Sequence, residues 1–205
     1  WFGRLGDDPF GRYIYKSIRG EGVDVSRVEL SKTAPTGLML REQTWQGTSV
    51  YYYRRGSAAS EYQAAHLDEP YIRQAKVLHI TGITPALSES CREAVFKAVE
   101  LARKHQVKVS FDPNLRLKLW SLEEAKQVLL PLAEMADYFL PGLEELQLLY
   151  GTENWDAIFS NLKQLRGTSI VKGGKNKTIV VNGAEQFSVS WCRGCFLCRI
   201  SSWNH

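Results

Sequence analysis

The stretch that decides the fold reads KVLHITG (76–82), SESCREAVFKAVELARKH (88–105) and VKVSFD (107–112). Its first and last segments are short and apolar, with the β-branched residues that are typical of strands. In the middle segment the apolar residues Cys91, Val95, Ala98, Val99 and Ala102 recur near one face of a helix. A strand, a helix and a second strand in this order predict a parallel pair with a right-handed crossover.

The same alternation continues towards the C-terminus. The segment 121–136 predicts a helix that begins with a capping box of Ser121 and Glu124. The remaining predicted elements are a strand (DYFLP, 137–141), a helix (LEELQLLYG, 143–151), a further helix ending near LKQLRG (162–167), a strand (SIVKGG, 169–174) and a hairpin turning at Asn182-Gly183 (KTIVVNGAEQFSV, 177–189). This order predicts an α/β fold with a parallel central sheet between layers of helices.

Upstream of this core the sequence predicts a helix followed by two short strands. The helix is PFGRYIYKSIR (9–19), which starts at a proline and ends at Gly20 and Gly22. The strands are GLMLRE (37–42) and SVYYYRR (49–55), each with two differently occupied faces.

Composition excludes several classes of protein. The 205 residues carry a formal charge of only +4 and are 44% hydrophobic, and basic residues are interspersed with acids, which argues against a nucleic-acid surface. The sequence has neither an apolar run of membrane-spanning length nor a secretory signal, so we expect no membrane partner and a cytoplasmic location.

Ligands of parallel sheets bind beyond the carboxyl ends of the strands. Four stretches lie there: TGITP (81–85), DPNLR (112–116), PGLEE (141–145) and KGGKNK (172–177). The second offers Asp112, Asn114 and Arg116 for an anionic or hydroxyl-rich ligand. The alternative is a structural turn in which Arg116 pairs only with Glu123 or Glu124.

Two more stretches leave alternatives open. KGGKNK has the glycines and lysines of a phosphate-binding loop, but without the spacing of a Walker loop it also fits a solvated turn. In VYYYRRG (50–56), Val50, Tyr52 and Arg54 share one strand face and present a phenol and a guanidinium, which suits a carboxylate. The alternative is an exposed edge strand whose arginines only prevent aggregation.

Taken in order, these stretches resemble the ribokinase-like (PfkB) family of sugar kinases. The similar segments are GRLGDDPFGRYIYKSIRGEGVDVSRV (3–28), TGLMLRE (36–42), VYYYRRGSAAS (50–60), LHITGITPALS (78–88), FDPNLRLKLW (111–120) and LPGLEELQLLYG (140–151). The resemblance covers about residues 3–189 and is strongest to the branch that phosphorylates 2-keto-3-deoxygluconate. It implies a ribokinase-like three-layer sandwich with a mostly parallel central sheet in residues 1–189, incomplete as a kinase domain, with a small lid of strands roughly within 28–56.

The resemblance also implies a reaction: transfer of phosphate from ATP, with Mg²⁺, to the terminal hydroxyl of 2-keto-3-deoxygluconate. It implies substrate contacts for Met39, Tyr52, Arg54 and Arg116, and a nucleotide side formed by Asn114, Gly142, Glu145, Lys172, Gly173 and Gly174. Glu145 would organise magnesium through water. The resemblance has two departures: Met39 occupies a lid position that can be Tyr in this branch, and Gly142 stands where relatives carry Ser or Asn. Partners would be a sugar acid, ATP and, for full-length relatives, a second copy bound through the lid.

The family's catalytic motif, Gly-Ala-Gly-Asp, is absent from the 205 residues. Its glycines stabilise the transferring phosphoryl group, and its aspartate accepts the hydroxyl proton. Where it is expected, the chain reads SWCRGCFLCRISSWNH (190–205). Read from the second base of the Ser190 codon, synonymous codons permit Val-Gly-Ala-Gly-Asp-Ala-Phe. We therefore predict an out-of-frame tail at 190–205, a family segment upstream of Trp1, and no catalytic residue and no turnover in this chain.

The alternative for the tail is a metal site. Cys192, Cys195 and Cys198 stand at two-residue gaps with His205 beyond, which are ligand types that suit zinc. The chain would then be a non-catalytic remnant that binds a sugar acid or nucleotide. Within the family, the alternative activity is that of a fructokinase or ribokinase.

Overall fold

The computed structural model describes residues 1–173, 177–190 and 199–202. Its strands are β1 (Phe2–Gly6), β2 (Arg27–Ser31), β3 (Leu38–Thr44), β4 (Gly47–Tyr53), β5 (Val77–Thr81), β6 (Lys108–Asp112), β7 (Tyr138–Phe139), β8 (Thr168–Gly173), β9 (Lys177–Asn182), β10 (Glu185–Ser190) and β11 (Arg199–Ser202). Its helices are α1 (Pro9–Gly20), α2 (Glu69–Arg73), α3 (Glu89–Lys104), α4 (Leu122–Met135), α5 (Leu143–Tyr150) and α6 (Trp155–Leu162).

Within the described residues, the main sheet has seven strands in the order β11-β10-β9-β8-β7-β6-β5. Strands β5 to β8 are parallel and are connected through helices α3 to α6, whereas β8 to β11 are antiparallel. The prediction of an α/β fold with helices packed on a parallel sheet is confirmed. Parallel order places the carboxyl ends of β5 to β8 along one edge of the sheet, which is where the candidate ligand loops emerge.

The core lies between this sheet and the helices. Phe111 of β6 and Phe139 of β7 are almost fully buried, with their rings stacked at 5.7 Å between centroids. The predicted capping box of Ser121 and Glu124 is present at the start of α4, and Cys91 is fully buried in α3 as expected for a small apolar residue. The local signals in the sequence therefore agree with the packed structure.

A two-stranded parallel sheet, β1 and β2 joined through α1, stands apart from the main sheet. A cavity of about 790 Å³ lies between β1 and β5, and its lining includes Ala94 and Ala98 of α3. Among the described residues β5 hydrogen-bonds only to β6, so one edge of β5 borders this cavity.

Strands β3 and β4 form the predicted lid hairpin, with Met39 opposite Tyr52. The C-terminal hairpin of β9 and β10 pairs Asn182 with Glu185. Its turn therefore consists of Gly183 and Ala184, one residue later than predicted, with Gly183 at a φ of +56°. No helix in the described part of the chain is long and apolar enough to cross a membrane.

Candidate functional site

The structure brings residues of all four predicted loops together at the carboxyl edge of the sheet. Lys172, at the end of β8, donates from its Nζ to Asp112 Oδ2 at the end of β6 over 2.9 Å. The backbone N–H of Lys172 donates to the carbonyl oxygen of Pro141 over 2.8 Å, and Lys172 forms a parallel bridge with Gly142. The loops after β6, β7 and β8 therefore form one continuous surface.

Asp112 holds the loop after β6 in a tight turn. Its Oδ1 accepts the backbone N–H of Asn114 at 3.1 Å, and Asn114 has a φ of +39°, in the left-handed region that asparagine tolerates better than most residues. Because Oδ2 is paired with Lys172, both oxygens of Asp112 have partners. The Asp-Pro-Asn stretch thus has the structural role that the turn alternative predicted, while it still projects Arg116 beyond the sheet.

Glu145 connects the loop after β6 to the loop after β7. Its Oε1 accepts the backbone N–H of Leu115 at 2.7 Å, and its Oε2 accepts that of Gly142 at 2.7 Å. Each carboxylate oxygen has two acceptor sites, so each keeps one for a water molecule. The bond to Gly142 is part of a capping box at the start of α5, and the contact of Glu145 with a hydrated Mg²⁺ through water, which the resemblance implied, stays a prediction.

Gly82 closes the floor of the site from β5. Its backbone N–H donates to the carbonyl oxygen of Asp112 over 2.9 Å. A Cβ at this position would lie 2.0 Å from the carbonyl oxygen of Pro113. Glycine is required here because the backbone of the loop after β6 passes directly over it.

Arg116 has no carboxylate partner among the described residues. Its Nη1 donates to the carbonyl oxygen of Leu115 at 2.9 Å, and the side chain is exposed. The alternative in which Arg116 pairs with α4 is wrong, because Glu124 bonds to Ser121 and Glu123 to Lys126. The guanidinium therefore keeps donors for an anionic ligand.

The lid presents the alternation that the sequence predicted. Tyr52 and Arg54 are half-buried on one face, whereas Tyr51, Tyr53 and Arg55 are exposed on the other. The Arg54 guanidinium lies over the Tyr52 ring, 4.8 Å from its centroid, in a cation–π contact. An arginine whose only role is to prevent aggregation at an exposed strand edge does not need to stack on a neighbouring ring, so the position of Arg54 favours the ligand-binding alternative.

One hydrogen bond brings the lid and the loop after β6 together. Lys118 Nζ donates to the carbonyl oxygen of Val50 over 2.9 Å. Val50 is two residues from Tyr52, and Lys118 is two residues from Arg116. The Tyr52–Arg54 pair and Arg116 therefore belong to neighbouring structures on the same side of the molecule.

The base of the lid is fixed by the GDDPFG stretch (6–11). Asp8 caps α1 by accepting the backbone N–H of Gly11 at 2.8 Å, and its second oxygen accepts the backbone N–H of Thr36 at 2.7 Å. The hydrogen bonds from Gly11 and Thr36 lower the pKa of Asp8. The backbone N–H of Gly6 in turn donates to Thr36 Oγ1 at 2.9 Å. This motif therefore anchors the segment that leads into β3.

Some predicted site residues lie outside the described part of the chain. Lys172 and Gly173 end β8, but Gly174 belongs to the stretch 174–176 that is not described. The proposed zinc ligands Cys192, Cys195, Cys198 and His205 lie outside it as well. Within the described residues, no group of three or more His, Cys, Asp or Glu side chains is placed to hold a metal ion. Mg²⁺ that is bound mainly by phosphates and water does not need such a cage.

Sequence reasoning missed three features of this site: the Asp112–Lys172 pair, the contacts of Asp8 with the lid base, and Lys118. The sequence offered one indication of Lys118, since it is a second basic residue in the stretch FDPNLRLKLW (111–120) that contains Arg116. The partners of these residues are far away in sequence, and nothing local identifies them.

Comparison with known proteins agrees with this geometry. A family model described as "pfkB family carbohydrate kinase" matches residues 1–193. The 2-dehydro-3-deoxygluconokinase of Bacillus subtilis is 36% identical over 198 residues, which cover 94% of this chain and 61% of that protein. Fructokinase-2 of Solanum lycopersicum is 36% identical over 156 residues, covering 75% and 47%. The chain thus spans about 60% of the length of the first of these relatives, and less of the second.

Solved structures show the same fold. The PfkB protein from Polaromonas sp. JS666 superposes with a TM-score of 0.87 at 35% identity, covering 93% of this chain and 65% of that one. A ribokinase II of E. coli, in complex with ATP and Mg²⁺, superposes with a TM-score of 0.80 at 26% identity, covering 92% and 61%. The predicted ribokinase-like architecture is confirmed.

Proposed function

The chain belongs to the pfkB family of carbohydrate kinases, and from that premise we propose that its parent protein phosphorylates 2-keto-3-deoxygluconate at the terminal hydroxyl, using ATP and Mg²⁺. The single observation that carries the choice of substrate is the Tyr52–Arg54 stack on the half-buried face of the lid. A neutral sugar offers no group that matches a guanidinium, whereas a carboxylate accepts two parallel hydrogen bonds from it.

The positive charge of Arg116, on the loop after β6 that faces the lid, also supports an acidic substrate. Arg116 has no carboxylate partner in the described chain, and it stands two residues from Lys118, which reaches the lid. We assign Arg116 to the substrate carboxylate and the phosphates, and Tyr52, Arg54 and Met39 to the substrate side of the lid. Met39 offers no hydrogen bond, so Tyr52 across the hairpin supplies the hydroxyl contact from this pair.

On the nucleotide side we assign Asn114, Gly142, Lys172, Gly173 and Gly174, with Glu145 contacting Mg²⁺ through water. The E. coli relative with bound ATP and Mg²⁺ supports this choice of cofactors. Bound Mg²⁺ would neutralise phosphate charge during transfer. Since Lys172 is already paired with Asp112, a phosphate would have to compete with that carboxylate for the ammonium group.

We further propose that the 205 residues on their own bind ligand without turning it over. The sequence contains no Gly-Ala-Gly-Asp, so within it neither a general base nor a backbone anion hole of that type is available. We also propose a cytoplasmic location, and pairing of two copies through the exposed lid face that carries Leu40, Tyr51 and Tyr53.

The proposal is tested by calorimetric titration of the purified chain with 2-keto-3-deoxygluconate and, separately, fructose. We expect Arg54→Gln to raise the dissociation constant for the sugar acid at least tenfold, because hydrogen bonds to a charged group contribute about 1.5–3 kcal/mol. Arg55→Gln removes the same charge from the exposed neighbouring position and should change that constant less than twofold.

The titration also separates the competing activities. Tighter binding of fructose than of the sugar acid would contradict the proposal and favour a fructokinase, in line with the relative from Solanum lycopersicum. The absence of binding of both sugars at millimolar concentration would contradict it as well. Substantial turnover with ATP would overturn only the proposed lack of catalysis.

A further inference from the structure

The lid hairpin has few hydrogen bonds to the rest of the described chain. Most residues of β3 and β4 are exposed, and Tyr51 bonds to Glu42 within the hairpin. Across the described ranges, the hydrogen bond from Lys118 Nζ to the carbonyl oxygen of Val50, at 2.9 Å, is the only one that joins residues 38–53 to the remaining chain. Apart from its two ends and the packing of its half-buried face, the hairpin is therefore held by this single hydrogen bond.

The donor of this bond stands on a well-anchored loop. Leu115 and Trp120 are each only 8% exposed, and the backbone N–H of Leu115 donates to Glu145. The backbone N–H of Leu119 donates to the carbonyl oxygen of Arg116 at 2.9 Å. The loop is thus fixed on both sides of Lys118, which lets the lysine transmit the position of the loop to the lid.

The acceptor is a backbone atom, so the contact does not depend on the side chain at position 50. A hydrogen bond from an ammonium group is stronger than one between neutral groups. Lysine is long enough to span the gap while its stem remains flexible. A side chain of similar length without charge would fill the same space but would leave the carbonyl oxygen without this donor.

We propose that Lys118 is a positioning residue that couples the lid to the loop carrying Arg116, so that both sides of the sugar-acid site keep one relative orientation. The part that concerns the sugar acid rests on the proposed function, whereas the tether itself does not. No contact between Lys118 and the substrate is part of this proposal.

The tether is tested by hydrogen–deuterium exchange of the 205-residue chain without ligand. We expect Lys118→Met to increase exchange in residues 38–53 about two- to sixfold, a range set by the modest net effect of one exposed hydrogen bond. Lys118→Arg keeps N–H donors and should restore exchange to within twofold of the wild type. Lys97→Met removes a lysine of α3 that pairs with Glu100 and should leave the lid unchanged.

Three exchange results would overturn the proposal: no change with Lys118→Met, an equal change with Lys97→Met, or complete exchange of the lid in the wild type at the earliest time point. A second measurement titrates each variant with 2-keto-3-deoxygluconate, where Lys118→Met should weaken binding two- to tenfold and Lys118→Arg should largely restore it. If the wild type binds no sugar acid, the proposed function is wrong, but the exchange result still tests whether Lys118 holds the lid in place.

Discussion

Replacing Gly82 by alanine should distort the loop that carries Arg116. The added Cβ would lie 2.0 Å from the carbonyl oxygen of Pro113 and 2.7 Å from Leu129 Cδ2. Real Cβ contacts stay beyond 3.0 Å, so the Pro113 carbonyl has to move by about 1 Å. Overpacking typically costs about 1–3 kcal/mol, and we expect the upper end because the nearest atom belongs to the backbone. For a chain of this size, that corresponds to a melting temperature lower by about 6–12 °C.

The measurement combines thermal unfolding, followed by circular dichroism, with hydrogen exchange at the amide of Asn114. That amide donates to Asp112 in the wild type, so its exchange should accelerate when the loop moves. Gly20→Ala is the matched control, because a Cβ there meets no atom within 4 Å. Gly20 is the last residue of α1 and has no positive φ, so alanine there should stabilise the chain by about 0.4–1 kcal/mol.

The reasoning is refuted if Gly82→Ala melts at the wild-type temperature with unchanged exchange at Asn114. It is also refuted if Gly20→Ala lowers the melting temperature as much as Gly82→Ala does. In either case the close approach of the Pro113 carbonyl to Gly82 would not constrain the loop.

Two further predictions concern the lid base and the cavity beside β5. Asp8→Asn should lower the free energy of unfolding at pH 7, because the asparagine cannot carry the charge that the backbone N–H groups stabilise. The difference in this free energy from wild type should be fully present above the ordinary carboxyl pKa of 3.8 and should disappear as the pH falls through the lowered pKa of Asp8. Urea unfolding at a series of pH values measures it, and a difference that does not depend on pH would contradict the prediction. Ala98→Leu should stabilise the chain by about 0.5–2 kcal/mol, because Ala98 lines the cavity and the larger side chain can fill it. Ala125→Leu is the matched control: Ala125 is fully buried outside the cavity lining, so the larger side chain should cost about 1–3 kcal/mol. Equal destabilisation by both substitutions in urea unfolding would show that the cavity does not accept a larger side chain.

Local signals account for the parts of the fold that were predicted correctly. The buried face of α3, the capping box of Ser121 and Glu124, and the two faces of β4 each follow from residues within a few positions of one another. The predicted turn at Asn182-Gly183 was displaced by one residue, because the register of β9 and β10 pairs Asn182 with Glu185. Spacing identifies a hairpin, but cross-strand pairing fixes its turn.

The candidate site was predicted only in part. Tyr52, Arg54 and Arg116 could be put forward as candidates because their charge and alternation are visible in the sequence, and their roles stay predictions. The sequence left two roles open for Arg116, and only the structure showed that Glu123 and Glu124 have other partners. That choice depends on where a long side chain is directed, which no local pattern fixes.

The sequence by itself determined the order of strands and helices from β5 to β10 and predicted the edge of the sheet at which a ligand would bind, because periodicity and parallel crossovers act over short distances along the chain. Only the tertiary structure decided that Lys172 pairs with Asp112, that Glu145 joins two loops, and that Lys118 reaches Val50. The bonds of Glu145 to Leu115, of Lys172 to Asp112 and of Lys118 to Val50 join residues 30 to 68 positions apart. They exist because the sheet sets neighbouring strand ends side by side and the loops then turn their polar atoms towards each other.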